Sequence, residues 1–220
     1  DLHYPLRRQR QDVYKRQNQD ILEVDPVALL QEELPKFPQS ISRPLRYKVV
    51  ANLPYYITSL VLRHFLETSL KPLLMVIMVQ KEVAKQIVAK PGDMSILSLS
   101  VQFYGKPEIV SYVRAGSFYP APEVDSAILR IVLYPAPPVK VTDEKSFFEV
   151  VKAGFCAPRK QIANSLAQGL NLPRAQVLPL LEKAGVLPQR RAETLSLEEW
   201  GRLSQAFIEW RSHAHGSSAS

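Results

Sequence analysis

Apolar residues follow two different periods along this chain, and the change between them divides it. Solid or alternating runs come first. Tyr47 to Ala51 and "LLMVIMVQ" (73–80) are short apolar runs that predict buried strands. "EIVSYVRA" (108–115) and "AILRIVLY" (127–134) alternate, as half-buried strands do. Helical periods lie between them: "PVALLQEEL", "KEVAKQIVAK" and "SILSLSVQFYG". A further helix is expected after "NLPYYIT", capped by Thr58, with Leu60, Val61, Phe65 and Leu66 on its apolar face. "GSFYPAPEVDS" (116–126) has two prolines and predicts a loop.

Strands alternating with helices predict an α/β fold with a largely parallel sheet that finishes in an antiparallel pair. "YPAPPVK" (134–140) reads as a linker, and beyond it the pattern is helical only. Trp200, Leu203, Phe207 and Trp210 recur at steps of three and four, one face of a helix. Ser196 with Glu199 gives that helix a capping-box start. The expected organisation is an unmatched tail over 1–17, an α/β part over 18–138, a small α-helical domain over 139–211 and a disordered tail over 212–220.

Charge adds a partner class. The net charge of +7 is spread as +3 over residues 1–17, +1 over 18–138 and +3 over 139–220. A basic C-terminal third suits a polyanion, although a solubilising surface explains it equally. Cys156 is the only cysteine, which excludes an internal disulfide and a thiolate zinc cluster. It is expected to pack in a helical core. His213 and His215 lack further ligands, so no metal site is expected. The longest apolar run, Leu73 to Val79, is too short to cross a bilayer, and no apolar leader is visible. A cytoplasmic location is the expectation.

"NLPYYIT" (52–58) carries the chemistry. Ligands in open α/β sheets bind beyond the carboxyl ends of strands. There Asn52 offers an amide oxygen, and Pro54 holds the Leu53 carbonyl in place. Tyr55 adds an aromatic face. Two acceptors beside an aromatic plane suit a planar group with an amino function, such as adenine. The competing reading is a strand-exit turn with buried tyrosines.

"NLPYYIT" resembles the motif of amino-group methyltransferases, and at this length that of the ribosomal RNA adenine dimethylases of the KsgA type. "NQDIL", "MVQKEVA", "FYPAPEVDSAILR", "RKQIANSL" and "RAETLSLEEW" agree in order. The resemblance covers roughly residues 18–211 and implies a Rossmann-like S-adenosylmethionine-dependent fold with a small helical RNA-binding domain. It implies methyl transfer from S-adenosylmethionine to N6 of adjacent adenines in a 16S rRNA hairpin loop, with the small-subunit precursor as partner. It implies a monomer without metal. Asn52, Leu53, Pro54 and Tyr55 take the catalytic positions. Asp20 and Ile21, with Asn52, take the cofactor positions. Tyr55 and Phe118 sandwich the target base; for Phe118 the alternative is a hinge aromatic under the loop. Arg159 and Lys160 open a helix and meet RNA phosphates, or are simply solvated. Asp125 and Ser126 are expected to hold the loop by bonds to backbone, and Glu82 to form a surface ion pair.

The family's Gly-rich loop is not upstream of Asp20, since the first glycine is Gly92. The chain is therefore expected to be a fragment, or mis-joined, and incomplete at its N-terminus, with the cofactor's methionine and ribose contacts missing. An Erm-like large-subunit enzyme and a non-catalytic assembly factor are the alternative functions.

Overall fold

The computed structural model describes residues 19–33 and 46–216, with side chains to 213. The tail expected over 1–17 lies outside the described residues. The chain divides into two compact units at Leu45/Arg46, each described by itself.

In the first unit, α1 (Pro26–Glu33) starts where the sequence sets a start signal. Asp25 Oδ1 accepts the Val27 N–H at 2.9 Å, and Pro26 takes the first helical position, where a missing N–H costs nothing.

The second unit begins with β1 (Lys48–Asn52), followed by α2 (Thr58–Leu66), β2 (Leu74–Gln80), α3 (Lys81–Ile87), α4 (Ile96–Tyr104), β3 (Gly105–Val113) and β4 (Ser126–Leu133). The sheet order is β1-β2-β4-β3. Only β1–β2 is parallel among the described strands; β2–β4 and β4–β3 are antiparallel. The expected antiparallel pair at the end forms as β3–β4, but the largely parallel sheet is corrected among the described strands, because β4 also inserts beside β2, and strand neighbourhood is not legible in local pattern. Met75, Ile77 and Val79 pair with Ile131, Leu129 and Ala127, and all six are buried, so one sheet face is continuous core. Leu99, Val101 and Phe103 of α4 and Ala84 and Ile87 of α3 are buried with them. α4 runs directly into β3 at Gly105, where a Cβ would stand 2.7 Å from the Val132 carbonyl oxygen, so only glycine fits this turn.

Four helices follow: α5 (Glu144–Gly154), α6 (Ile162–Gly169), α7 (Arg174–Ala184) and α8 (Leu197–Gly216). Trp200 is fully buried and stacks on Phe155 at 5.7 Å. The capping box forms: Glu199 N–H donates to Ser196 Oγ at 3.2 Å, and Ser196 N–H to Glu199 Oε2 at 2.7 Å. Packing is continuous across the linker. Phe103 stacks on Phe147 at 4.6 Å, and Tyr104 Oη donates to Glu144 Oε2 at 2.9 Å.

Several local expectations are corrected. Thr58 is the first residue of α2 rather than its cap, and its hydroxyl is buried without a partner among the described residues. Leu60 is exposed, and Leu62 takes the buried place on α2. The last helix is described over Leu197–Gly216. Cys156 is exposed beyond α5, its thiol near the Ser165 carbonyl oxygen, and is not core.

Candidate active site

Strand directions collect the motif residues at one end of the sheet. β1 pairs Asn52 with Met78, two residues before β2 ends at Gln80. β3 runs in the same direction as β2 and ends at Val113. Ser126, the first residue of β4, stands opposite both Gln80 and Val113. The exits of β1, β2 and β3 and the entry to β4 therefore share one edge, where ligands meet α/β sheets.

The exit of β1 is built stepwise. Leu53 N–H donates to the Met78 carbonyl at 3.3 Å, extending the ladder by one residue, and its side chain is buried. Pro54, at φ −58° and ψ 132°, keeps the chain extended. A 3-10 turn over Tyr55–Ile57 follows, with Ile57 N–H on the Pro54 carbonyl at 3.2 Å. Asn52 is exposed at the strand end. The two tyrosines divide. Tyr55 is half-buried, and its hydroxyl lies 2.7 Å from Ser126 Oγ. Tyr56 is 87% exposed, so the turn does not bury both rings.

The loop between β3 and β4 is fastened at both ends by Asp125. Its Oδ1 accepts the Ala115 N–H at 3.1 Å, closing the loop across ten residues. Lys81, the first residue after β2, donates its backbone N–H to the Asp125 carbonyl at 2.9 Å and holds Nζ 3.5 Å from Oδ2. The Ala115 N–H outweighs the opposing effect of burial, and the Lys81 ammonium adds to it, so the Asp125 carboxyl is held below the usual range. Phe118 is half-buried after the 3-10 turn Ala115–Ser117, whereas Tyr119 is fully exposed before a cis Pro120. The Asp125 anchor matches the expectation from sequence, whereas the Ser126 hydroxyl meets the Tyr55 hydroxyl rather than backbone. The Tyr55–Ser126 and Lys81–Asp125 contacts had no signal in sequence, being 71 and 44 residues apart.

The remaining candidates are on other segments of the chain. Asp20 and Ile21 belong to the first unit, where Asp20 Oδ1 accepts the Leu22 N–H at 3.0 Å in a turn. Arg159 and Lys160 are exposed in the turn before α6, so they precede that helix rather than open it. Lys160 Nζ donates to Gln168 Oε1 at 3.3 Å. Glu82 pairs with Lys85 at 2.8 Å on the surface. Among the described residues no group of three metal-ligating side chains gathers, and no helix is long and apolar enough to cross a membrane.

Comparison with known proteins gives a consistent set. A profile described as "Ribosomal RNA adenine dimethylase" matches residues 5–209, so it takes in part of the segment before Asn18. "Ribosomal RNA small subunit methyltransferase A" of Dehalococcoides mccartyi is 51% identical over 190 residues, 86% of this chain and 62% of that protein. The protein of the same name from Enterococcus faecalis is 43% identical, over 86% of this chain and 63% of its own length. The chain thus spans about three-fifths of the length of these curated relatives. A crystal structure of a dimethyladenosine transferase from Plasmodium falciparum superposes with a TM-score of 0.65 at 19% identity, covering 81% of this chain and 76% of that one. The 23S rRNA methyltransferase ErmE gives 0.57 at 26% identity, covering 84% of this chain and 80% of its own. The sheet with its covering helices is accordingly a Rossmann-like methyltransferase fold.

Proposed function

Because this chain belongs to the ribosomal RNA adenine dimethylase family, we propose that the protein transfers methyl groups from S-adenosylmethionine to N6 of adjacent adenines in a small-subunit rRNA hairpin loop. The observation that carries the proposal is the β1 exit. An exposed Asn52 stands at a strand end, followed by a Pro-held carbonyl and a ring tied to the first residue of β4.

Adenine N6 is a weak nucleophile because its lone pair is delocalised into the ring. Asn52 Oδ1 and the Leu53 carbonyl accept its two N–H groups, which favours a pyramidal nitrogen and localises the lone pair. Pro54 fixes the direction of that carbonyl. S-adenosylmethionine, when bound, supplies the methyl as an electrophilic sulfonium carbon. Asn52 and Leu53 thus act by positioning and electrostatics, with no covalent link to the protein. Tyr55 and Phe118 hold the extruded base between them, and stacking of this kind contributes about 1–3 kcal/mol per base.

Asp20 fits a cofactor adenine in its donor set: the Leu22 N–H holds one carboxylate oxygen, and the other remains an acceptor for an exocyclic amine. Asp20 and Ile21 are the residues assigned to that adenine. The helices over 139–211, with Arg159 and Lys160, take RNA phosphates, the 16S precursor being the partner and the cytoplasm the place; the protein acts as a monomer. Identities of 51% and 43% to small-subunit enzymes, against 26% to ErmE, favour this reading over a large-subunit target.

In a protein extended to the full length of the curated relatives, Asn52→Ala tests the proposal. Methyl transfer from radiolabelled S-adenosylmethionine to undermethylated small-subunit particles falls by about 10²–10³. Stability changes by roughly 0.5 kcal/mol or less, since the side chain is exposed. Turnover close to the unsubstituted protein by folded Asn52→Ala refutes the assignment.

A further inference from the structure

Two adjacent residues at the start of β4 touch every other strand exit at the candidate site. Ser126 is fully buried, and its Oγ lies 2.7 Å from the Tyr55 hydroxyl, which belongs to the β1 exit. Asp125 holds the β3 exit through the Ala115 N–H and the β2 exit through Lys81. A serine at a buried strand position has little to gain from water, so its hydroxyl must find a partner in the protein. Its partner here is the phenol of the aromatic ring proposed to carry the target base. The strand register fixes Ser126, because it stands opposite both Gln80 and Val113. Tyr55 sits on a short 3-10 turn, whose own ladder does not hold a side chain. The hydroxyl contact therefore transfers the rigidity of the sheet to the Tyr55 ring.

Resting on the methyltransferase reading above, we propose that Ser126 is a positioning residue for base capture: its hydroxyl, fixed by the β2–β4–β3 register, holds the Tyr55 ring at the angle that receives the flipped adenine. Phe118 lies on the loop that Asp125 closes, so the second face of the clamp is referred to the same two residues. Ser126 touches neither the base nor the cofactor. Its effect passes through Tyr55.

The test is a double-mutant cycle in the intact protein with Ser126→Ala, Tyr55→Phe and the pair. Tyr55→Phe keeps the ring and removes only the hydroxyl. The substrate is small-subunit RNA carrying 2-aminopurine at the target adenine for the binding arm, and unlabelled particles for turnover. Each single variant lowers kcat about tenfold, the size of one net hydrogen bond. The double variant is no slower than the worse single, because both changes remove the same contact. The quench of 2-aminopurine on binding weakens in all three, while the affinity for S-adenosylmethionine is unchanged. A purely structural serine lowers the melting temperature and leaves kcat and the quench of the folded protein unaltered; that result overturns the proposal. Losses that multiply in the double variant overturn it as well. Asn52→Ala in the same assay separates the two levels. If it is inactive while Ser126→Ala and Tyr55→Phe turn over normally, only the positioning role fails. If Asn52→Ala is itself active, the methyltransferase reading fails and takes this role with it.

Discussion

Gly154→Ala is a single-methyl change with a large expected effect. Gly154 ends α5, and a Cβ built there stands 2.3 Å from Trp200 Cη2, 2.9 Å from Cζ3 and 3.0 Å from Ile162 Cδ1. Carbon atoms rest at about 3.5–4.0 Å, so the indole must retreat by roughly 1 Å or more. It has nowhere to go: Trp200 is fully buried and stacked on Phe155. The strain falls on the α5–α8 contact, and overpacking of this kind costs about 1–3 kcal/mol, here at the upper end. Alanine's better helix propensity returns roughly 0.5–1 kcal/mol, less at a helix end. The net loss is about 2 kcal/mol, which for a protein of this size lowers Tm by about 4–8 °C. Thermal unfolding followed by circular dichroism reads it directly. Gly116→Ala is the control, because a Cβ there meets nothing within 4 Å. A Gly154→Ala protein that melts at or above the temperature of the unsubstituted protein refutes the packing argument.

Other changes probe the site and its supports. Phe118→Ala lowers turnover about tenfold or more through lost stacking and barely moves Tm, as the ring is only half-buried; a sharp fall in Tm with normal turnover returns Phe118 to a packing role. Arg159→Ala and Lys160→Ala each flatten the salt dependence of RNA binding by about one unit if they meet phosphates, and an unchanged slope removes them from the interface. Burial raises the Glu199 carboxyl, but the Arg190 guanidinium and the Ser196 N–H outweigh it and hold the group below its ordinary range. A carboxyl lowered in the folded state stabilises above its unfolded pKa, and that contribution is lost as pH falls through the folded value. Glu199→Gln therefore melts well below the unsubstituted protein at neutral pH, with the gap closing as pH drops below the unfolded carboxylate value of about 4.3; a gap constant through that range contradicts the linkage.

Local order was legible in the sequence because period and caps are properties of neighbouring residues. Strands expected from spacing over 47–51, 73–80, 108–115 and 127–134 form at 48–52, 74–80, 105–113 and 126–133, and the α4 helix and the Ser196–Glu199 box follow from spacing within a few residues. So did the placement of Asn52-Leu53-Pro54-Tyr55 at a strand exit, since an apolar run ends there and a proline follows. What local pattern does not contain is which strand lies beside which. The insertion of β4 between β2 and β3 turned an expected largely parallel sheet with one closing antiparallel pair into one with a single parallel pair among the described strands. That same insertion brings Ser126 to Tyr55 and Asp125 to Lys81. Burial at fine grain was also decided by tertiary packing. Leu60 and Leu62 have the same chemistry and sit two residues apart, yet only Leu62 turns inward on α2. Cys156 fits a core position in the helical pattern, yet α5 ends at Gly154 and leaves the residue exposed. A sequence specifies how a segment prefers to bend and which groups prefer to leave water. The sum of many weak contacts over long loops decides which segments satisfy those preferences against one another, and no short window carries that sum.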